Sequence, residues 1–245
     1  MHTQMVFRRY EQKYFLTREQ KALLLWAMEP HMRNDIYGRT TIRNIYFDTE
    51  NYRLIRRSIE KPVYKEKLRI RSYRKTPPGE DVFVELKKKY RKVVFKRRVL
   101  LPEQTAMDWI CHGHISPCNT QIAREIEYFR DLYGPLYPAV FLAYEREAYF
   151  DRGGEDLRVT FDENIRARTA GLSTGMDDRG ELLMMEDRIL MEIKSTGGIP
   201  LWLTRLLSEQ RLFCTPFSKY GMAYSQLLFP KGGHPYAEIP VSGAV

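Results

Sequence analysis

Residues 61–98 read KPVYKEKLRIRSYRKTPPGEDVFVELKKKYRKVVFKRR, and this stretch decides the class of fold. In the run KLRIR at residues 67–71, three cations share one face of a strand, whereas Leu and Ile take the other. The run VELKK at residues 84–88 alternates in the same way, and the Pro-Pro-Gly at residues 77–79 predicts a turn between the two runs. The stretch therefore predicts neighbouring antiparallel strands with a charged face and an apolar face.

The excess positive charge of the whole chain comes from the same stretch. The 245 residues include 40 Lys+Arg and 31 Asp+Glu, a formal net charge of +9. Residues 61–98 hold 15 of these cations and 4 of the acids, an excess of +11, whereas the rest of the chain holds 25 and 27. A basic field of this density indicates an anionic partner, which could be nucleic acid, phosphate or a membrane surface.

The amino-acid composition excludes several classes of protein. Hydrophobic residues make up 43% and aromatic residues 13%, which is ample for a buried core and excludes a disordered polybasic tail or a disulfide-stapled miniprotein. The longest apolar run, residues 22–28, is far shorter than the roughly 20 residues that cross a bilayer, and no secretory leader is visible. The 3 cysteines cannot all pair with one another, so a reducing cytoplasm is the predicted location.

Alternating runs recur along the chain, with helical patterns between them. Strands are predicted at residues 10–16, 41–48, 63–73, 82–89, 93–100, 139–150, 157–164 and 182–194. Helices are predicted at residues 22–28, 50–59, 103–134 with a break at 113–117, 200–211 and 220–228. This order indicates one α+β domain over residues 1–230, followed by a loose tail at residues 231–245.

Nearly every predicted strand carries one charged face. The side chains that share such faces are Glu11 and Lys13; Lys67, Arg69 and Arg71; Glu85, Lys87 and Lys89; Tyr144 and Arg146; Arg158, Thr160 and Asp162; and Glu192 and Lys194. A solvated sheet face is the simplest interpretation, but stacked like charges repel and are better tolerated around a bound anion. A closed antiparallel barrel of about eight strands, with helices packed outside, would turn all these faces inward.

An inward face of this composition suits a triphosphate with a divalent cation. Arginine forks bind phosphate oxygens in pairs, lysines add point charge, and scattered carboxylates are ligands for Mg²⁺ or Mn²⁺. The sequence has no glycine-rich phosphate loop, kinase motif set or dinucleotide fingerprint, so the common nucleotide folds are excluded.

The chain resembles the catalytic domain of the vacuolar transporter chaperone (VTC) family, polyphosphate polymerases within the CYTH-like superfamily of triphosphate tunnel metalloenzymes. Eight short stretches carry the resemblance, in order along most of the chain: Glu11-Gln12-Lys13-Tyr14, Ile45-Tyr46-Phe47-Asp48-Thr49, Leu68-Arg69-Ile70-Arg71, Phe83-Val84-Glu85-Leu86-Lys87, Tyr144-Glu145-Arg146, Arg158-Val159-Thr160-Phe161-Asp162, Met191-Glu192-Ile193-Lys194 and Phe217-Ser218-Lys219-Tyr220. Each stretch is weak alone, and their common order makes the match specific.

The resemblance implies a closed tunnel that binds ATP by its triphosphate and passes the terminal phosphoryl group to a growing polyphosphate chain. Matching positions implied to hold phosphates are Lys13, Arg69, Arg71, Lys87, Arg146 and Arg158. Tyr144 would hydrogen-bond to a phosphate, and Ser218 with the catalytic Lys219 would clamp the chain. Glu192 matches the metal-binding glutamate of the family, with Mn²⁺ or Mg²⁺ bridging phosphates.

Further candidates on the charged faces complete the predicted site. Lys67 and Lys194 are predicted phosphate ligands, and Lys96 and Arg98 are weaker ones because Arg97 and Arg98 must face opposite ways. Glu11 and Glu85 could bind the metal or simply balance neighbouring cations, and the sequence leaves both open.

Two local features bear on metal binding. The wider superfamily often begins with Glu-x-Glu-x-Lys, but Arg9 stands at the first position here, and the lost carboxylate favours a polymerase over a hydrolase. Cys111, His112, His114 and Cys118 lie close together, yet their spacing fits no common zinc site, so they are not predicted ligands.

Three other functions remain open at this stage. A tunnel triphosphatase would give the phosphoryl group to water, and a polyphosphate-binding module would leave ATP intact. Nucleic-acid binding would use the basic stretch with its interleaved aromatic residues, Tyr73, Phe83, Tyr90 and Phe95. The leading prediction expects no nucleic-acid partner and leaves the oligomeric state open.

Overall fold

The computed structural model describes residues 10–91, 93–113, 116–154, 156–185 and 187–229, so Arg9, His114 and the predicted tail at residues 231–245 lie outside the described residues. The strands are β1 (Tyr10–Leu16), β2 (Met32–Asn34), β3 (Thr40–Asp48), β4 (Tyr64–Ser72), β5 (Asp81–Tyr90), β6 (Val93–Pro102), β7 (Tyr137–Asp151), β8 (Leu157–Arg168), β9 (Glu181–Leu182) and β10 (Ile189–Ser195). The helices are α1 (Arg18–Met28), α2 (Arg53–Ile59), α3 (Glu103–His112), α4 (Gln121–Tyr133), α5 (Leu201–Glu209) and α6 (Lys219–Ala223), and a π-helical segment (Tyr224–Leu228) follows α6.

All these strands belong to one antiparallel sheet. Its order is β1-β10-β8-β7-β3-β4-β5-β6, with β2 added on β7 and β9 on β8. Neighbouring strands pair in the register that keeps each charged face continuous; Lys67, Lys87 and Lys96, for example, form one row across three strands. The α+β class with a large antiparallel sheet is therefore confirmed.

The closed barrel of about eight strands is not confirmed. The sheet has ten strands, and within the described part of the chain β1 and β6 each pair on one side only, so the hydrogen-bonded ladder is open. The sheet nevertheless curls strongly, because the Lys87 Nζ of β5 lies 3.3 Å from the Glu11 Oε2 of β1. Side chains of strands far apart in the ladder thus meet across the sheet.

The apolar sides of the strands pack on helices outside the curl. One cluster joins β3, β4, β5 and β7 to α3 and α4, with Trp109 and Phe129 fully buried in it. A second cluster joins β1, β8 and β10 to α1 and α5, with Leu24 and Leu203 at its centre. Burial of these faces leaves the charged sides of the same strands directed to the opposite surface of the sheet.

The last helix does not follow the prediction that the helices pack outside. Lys219 at the start of α6 contacts Asp162 of β8 and Glu192 of β10. The Tyr220 ring stacks on Tyr46 of β3 with centroids 4.7 Å apart. A third apolar cluster joins α6 and the π-helical segment to β3, β7 and β8. The C-terminal helical segment therefore lies against the same surface that carries the charges.

Local structure agrees with most of the other predicted elements. The Thr17–Gln20 capping box forms, with a hydrogen bond from Gln20 N to Thr17 Oγ1 of 3.2 Å and one from Thr17 N to Gln20 Oε1 of 2.9 Å. The strand β2 was not predicted, and the single strand predicted at residues 182–194 is two separate strands, β9 and β10. None of the helices in the described ranges has the length and hydrophobicity that a membrane crossing requires.

Candidate active site

The candidate site is the charged face, defined as the side of the curled sheet that carries Lys13, Arg69, Arg71, Arg146 and Glu192. Strand register brings most of the predicted ligands onto this face in cross-strand rows. One row contains Tyr46, Arg69, Glu85 and Arg98, and another contains Lys13, Glu192 and Thr160. Cations face carboxylates within these two rows, so this part of the charged face is a network of ion pairs.

Glu192 is the most heavily paired carboxylate of the charged face. Four cations surround it: Lys194 Nζ at 2.9 Å, Lys219 Nζ at 3.2 Å, Arg146 Nη2 at 3.5 Å and Lys13 Nζ at 3.7 Å. Burial by itself would raise the pKa of Glu192, but these four cations hold it well below its usual range. Glu192 is therefore a carboxylate anion that orders cations drawn from four elements.

Asp162 is a buried member of the network to which the sequence pattern gave no role. Its carboxylate accepts a two-pronged hydrogen bond from the Arg146 guanidinium, 2.6 Å on each side, and lies 2.5 Å from Lys219 Nζ. Burial would raise the pKa of Asp162, but Arg146 and Lys219 lower it. In the sequence, the feature that points to Asp162 is its position on the same strand face as Thr160 and Arg158.

Glu85 organises the other half of the charged face. Its Oε2 accepts hydrogen bonds from Arg69 Nε at 3.0 Å and Nη2 at 2.7 Å, and its Oε1 lies 3.6 Å from Lys96 Nζ. The Tyr46 hydroxyl accepts a further hydrogen bond from Arg69 Nη1 at 2.9 Å. Burial would raise the pKa of Glu85, but Arg69, Arg71 and Lys96 lower it strongly. Glu85 and Tyr46 thus fix the Arg69 fork in one orientation.

Arg71 is held mainly by neutral partners. Its Nε donates to Asn44 Oδ1 at 2.9 Å and its Nη2 donates to the Tyr144 hydroxyl at 3.1 Å, whereas Glu85 is 4.0 Å away. Neutral partners orient the guanidinium without cancelling its charge. Arg71 is therefore a fixed cation that shares the Glu85 carboxylate with Arg69 and Lys96, and Asn44 is a second contributor that the sequence pattern did not identify.

Lysines outnumber the acids at one side of the charged face. Lys67 Nζ donates to Ser218 Oγ at 3.0 Å. Burial lowers the pKa of Lys67 well below its usual value, and the neighbouring charges of Lys65, Lys13 and Lys87 lower it further. Burial and Lys89 likewise lower the pKa of Lys65. Such crowding of like charge is relieved when an anion binds among these groups.

Glu11 is the acid closest to this lysine group. Its carboxylate lies 3.3 Å from Lys87 Nζ and 3.4 Å from Lys13 Nζ. Lys13 also donates to the Phe217 carbonyl at 2.9 Å, which ties β1 to the residues just before α6. Glu11 therefore balances neighbouring cations, one of the two roles that the sequence left open for it.

Arg158 and Lys194 lie opposite each other on β8 and β10. The Arg158 guanidinium lies over the Phe150 ring, 4.7 Å from its centroid. Burial lowers the pKa of Lys194 to about 8, against the opposing effects of Glu192 and Glu11. Lys96 and Arg98 lie on the exposed end strand β6, and the Arg98 guanidinium lies 4.9 Å from the centroid of the Phe83 ring.

The carboxylates do not assemble a metal site by themselves. Among the described residues, no group of three or more His, Cys, Asp or Glu side chains could hold a metal ion. Glu192 and Glu11 share Lys13, whereas Glu85 belongs to the separate Arg69 cluster. The residues present therefore fit a divalent cation only as a companion of bound phosphates, with Glu192 as the protein ligand; Mn²⁺ or Mg²⁺ stays a prediction.

The cysteine and histidine group is structural in its described part. Cys111 and Cys118 pack against the cluster under α3 and α4, and His112 is paired with Asp108 at 3.5 Å. Burial raises the pKa of the Cys111 thiol to about 11, which disfavours the thiolate that zinc requires. These residues lie on the outer side of the sheet, away from the charged face.

Comparison with known proteins gives the family of the chain. The family model described as the VTC domain matches residues 8–228. The chain belongs to the VTC domain family, and the resemblance drawn from the eight short stretches is confirmed. No curated protein matches the chain significantly.

One solved structure supports the fold, and a second is reported beside it. The crystal structure of a "putative adenylate cyclase" from Bacillus halodurans is similar with a TM-score of 0.53 and 16% identity, over 87% of this chain and 95% of that chain. A second "putative adenylate cyclase", from Vibrio parahaemolyticus, has a TM-score of 0.46 and 12% identity, over 89% of this chain and 98% of that one. At 16% identity the first likeness shows a similar fold and carries no statement about activity.

Proposed function

We propose that this chain is an ATP-dependent polyphosphate polymerase that transfers the terminal phosphoryl group of ATP to a growing polyphosphate chain. The observation that carries the proposal is the excess of buried cations on the charged face. Lys67, Arg71 and their neighbours are held by neutral partners or crowded by like charges, which is the electrostatic state that a polyanion relieves. Membership of the VTC domain family supports the same substrate class.

The residues of the charged face supply alignment and charge neutralisation, which phosphoryl transfer chiefly needs. The forks of Arg69, Arg71 and Arg146 hold triphosphate oxygens in fixed positions, and Arg158 with Lys194 neutralises a neighbouring phosphate. The acceptor chain is guided along the curl of the sheet by a second group of side chains: Lys13, Lys67, Lys87 and the Ser218–Lys219 pair. A divalent cation held by Glu192 and the phosphates would withdraw charge from the transferred group.

The carboxylates of the charged face are poorly suited to activate water, which supports transfer to a phosphate. A hydrolase needs a group that takes a proton from water, and such a base works best with a pKa near the working pH. The pKa values of Glu11, Glu85, Asp162 and Glu192 are all lowered by adjacent cations. A terminal phosphate oxygen of the acceptor already carries charge and needs no such base.

A product assay tests the proposal. Protein incubated with ATP and Mn²⁺ is expected to form long polyphosphate, resolved by gel electrophoresis. Arg69→Ala should lose most of this activity, because lysine neighbours cannot replace a bidentate fork. Arg97→Ala is the matched control, since Arg97 lies on the outer side with Glu125 at 3.4 Å. Orthophosphate as the sole product would contradict the polymerase in favour of a triphosphatase, and intact ATP would favour a binding module.

A further inference from the structure

Two aromatic side chains extend the charged face beyond Arg71, and the triphosphate ligands leave them unused. Phe83 lies directly opposite Arg71 in the pairing of β4 with β5. Tyr73 follows two residues after Arg71, and its ring meets the Phe83 ring edge to face, with centroids 5.7 Å apart at 83°. The two rings therefore form a continuation of the same face.

Cations flank this aromatic pair on both sides. The Arg71 guanidinium lies 6.0 Å from the Tyr73 centroid, and the Arg98 guanidinium lies 4.9 Å from the Phe83 centroid. Tyr73 is 42% exposed, so a large part of its ring surface faces solvent although it adjoins a buried arginine. An exposed ring between guanidinium groups is a surface on which a flat aromatic ligand can stack.

We propose that Tyr73 and Phe83 form a nucleobase subsite, which would make the charged face select a nucleoside triphosphate over inorganic tripolyphosphate. This inference rests on the proposed function, because it assumes that the triphosphate occupies the arginine forks. A base held there stacks on the exposed Tyr73 ring, with Arg98 beside it. Stacking uses the π-face that every base has, so the subsite favours nucleotides as a class.

The spacing between Arg71 and Tyr73 fits a ligand with a phosphate end and an aromatic end. Tyr73 lies just beyond the end of β4, and its ring centroid is 6.0 Å from the Arg71 guanidinium. In a nucleoside triphosphate the ribose separates the base from the first phosphate by a similar length. A triphosphate on Arg71 and Arg69 therefore leaves its base within reach of Tyr73 and Phe83, outside the network of buried ion pairs.

The test compares two ligands on the same protein by calorimetry in metal-free buffer: ATP and inorganic tripolyphosphate. Tyr73→Leu removes the ring and is expected to weaken ATP binding about tenfold, in the range measured for one stacked base, with tripolyphosphate binding unchanged. Tyr73→Phe keeps the ring and loses only the hydroxyl beside Arg71, so it should keep the preference for ATP over tripolyphosphate that Tyr73→Leu loses. Tyr90→Leu is the matched control, since Tyr90 on β5 is also exposed and lies under a cation, Arg91, at 5.4 Å.

The outcomes separate this subsite from the function on which it rests. Unchanged ATP affinity in Tyr73→Leu overturns the subsite and leaves the proposed function standing. An equal loss for both ligands also overturns it, because Tyr73 then acts only by positioning Arg71. Wild-type protein that binds neither ligand overturns the subsite and the proposed function together.

Discussion

At the scale of single residues, the charged face is defined by the difference between paired and unpaired cations. Arg146 is held by both oxygens of the Asp162 carboxylate, whereas Lys67 donates to the neutral Ser218 hydroxyl. Cations held by carboxylates, such as Arg146, have fixed positions and so define the geometry of the site. Under the proposed function the crowded groups would supply affinity, because a bound phosphate would relieve the repulsion among them.

Lys67 predicts a pH dependence of anion binding. Its pKa lies well below 10.5 in the free protein, because burial and then like charges disfavour its charged form. A bound phosphate favours the charged form and raises this pKa, so binding takes up a proton. Affinity for tripolyphosphate is therefore highest below the lowered pKa and falls as pH rises through it, which calorimetry in buffers of different ionisation enthalpy measures.

The variant Lys67→Gln isolates this effect. It should bind tripolyphosphate about tenfold more weakly at low pH, since a charge-assisted hydrogen bond is worth roughly 1.5–3 kcal/mol, and its pH dependence should be shallower. Lys88→Gln serves as the control, because Lys88 faces the outer side and pairs with Glu125 at 3.5 Å. A wild-type pH profile in Lys67→Gln would contradict the assignment.

At the scale of elements, one buried carboxylate joins β3, α2 and α6. Asp48 is fully buried and accepts hydrogen bonds from the backbone N–H groups of Leu54 and Ile55 at 2.8 and 2.9 Å, near the start of α2. It also accepts a hydrogen bond from the Tyr220 hydroxyl at 2.8 Å. Because Tyr220 follows Lys219 directly, this bond anchors the helix that brings Ser218 and Lys219 to the charged face.

Tyr220→Phe tests this anchor. The variant keeps the ring that stacks on Tyr46 but loses the hydrogen bond to Asp48, so the free energy of unfolding should fall by about 1.5–3 kcal/mol, measured by urea denaturation. Polymer synthesis should fall at saturating ATP, because Lys219 is held less firmly. Tyr128→Phe on the exposed side of α4 should change neither quantity. Full activity in Tyr220→Phe would show that α6 needs no such anchor.

At the scale of the whole molecule, the curl of the sheet brings its distant strands together on the charged face. β1 and β5 are far apart in the order of the sheet, yet Glu11 and Lys87 meet at 3.3 Å. A polyanion bound between Lys13 and Lys87 would therefore stabilise both strands at once. Neither strand forms the site alone, since each supplies only part of the cation set.

Hydrogen exchange tests this arrangement. Tripolyphosphate should slow the exchange of backbone amides in β1 and β5 together, because local opening of either strand would break contacts with the ligand. Helix α4 on the outer side is the internal control and should exchange at the same rate with and without the ligand. Protection of one strand without the other would show that the ligand does not bridge the curl.

The sequence by itself determined the strand faces and most of the charged side chains that share them. Side chains alternate between the two faces of any strand, so residues two apart, such as Lys67, Arg69 and Arg71, must share one face. The antiparallel register then aligns that face with the charged faces of the neighbouring strands. The capping box before α1 and the break between α3 and α4 are likewise local, which is why they were predictable.

Only the tertiary structure decided how the faces meet. The alternation of side chains along each strand does not show whether the sheet closes. Closure depends on accumulated twist and on contacts such as Glu11–Lys87, between residues 76 positions apart. The alternation also cannot place α6 on the charged face, since that position depends on Tyr220 reaching Asp48 across 172 positions. Local pattern thus determined what each strand presents, and long-range packing decided which charges are paired and which remain for a ligand.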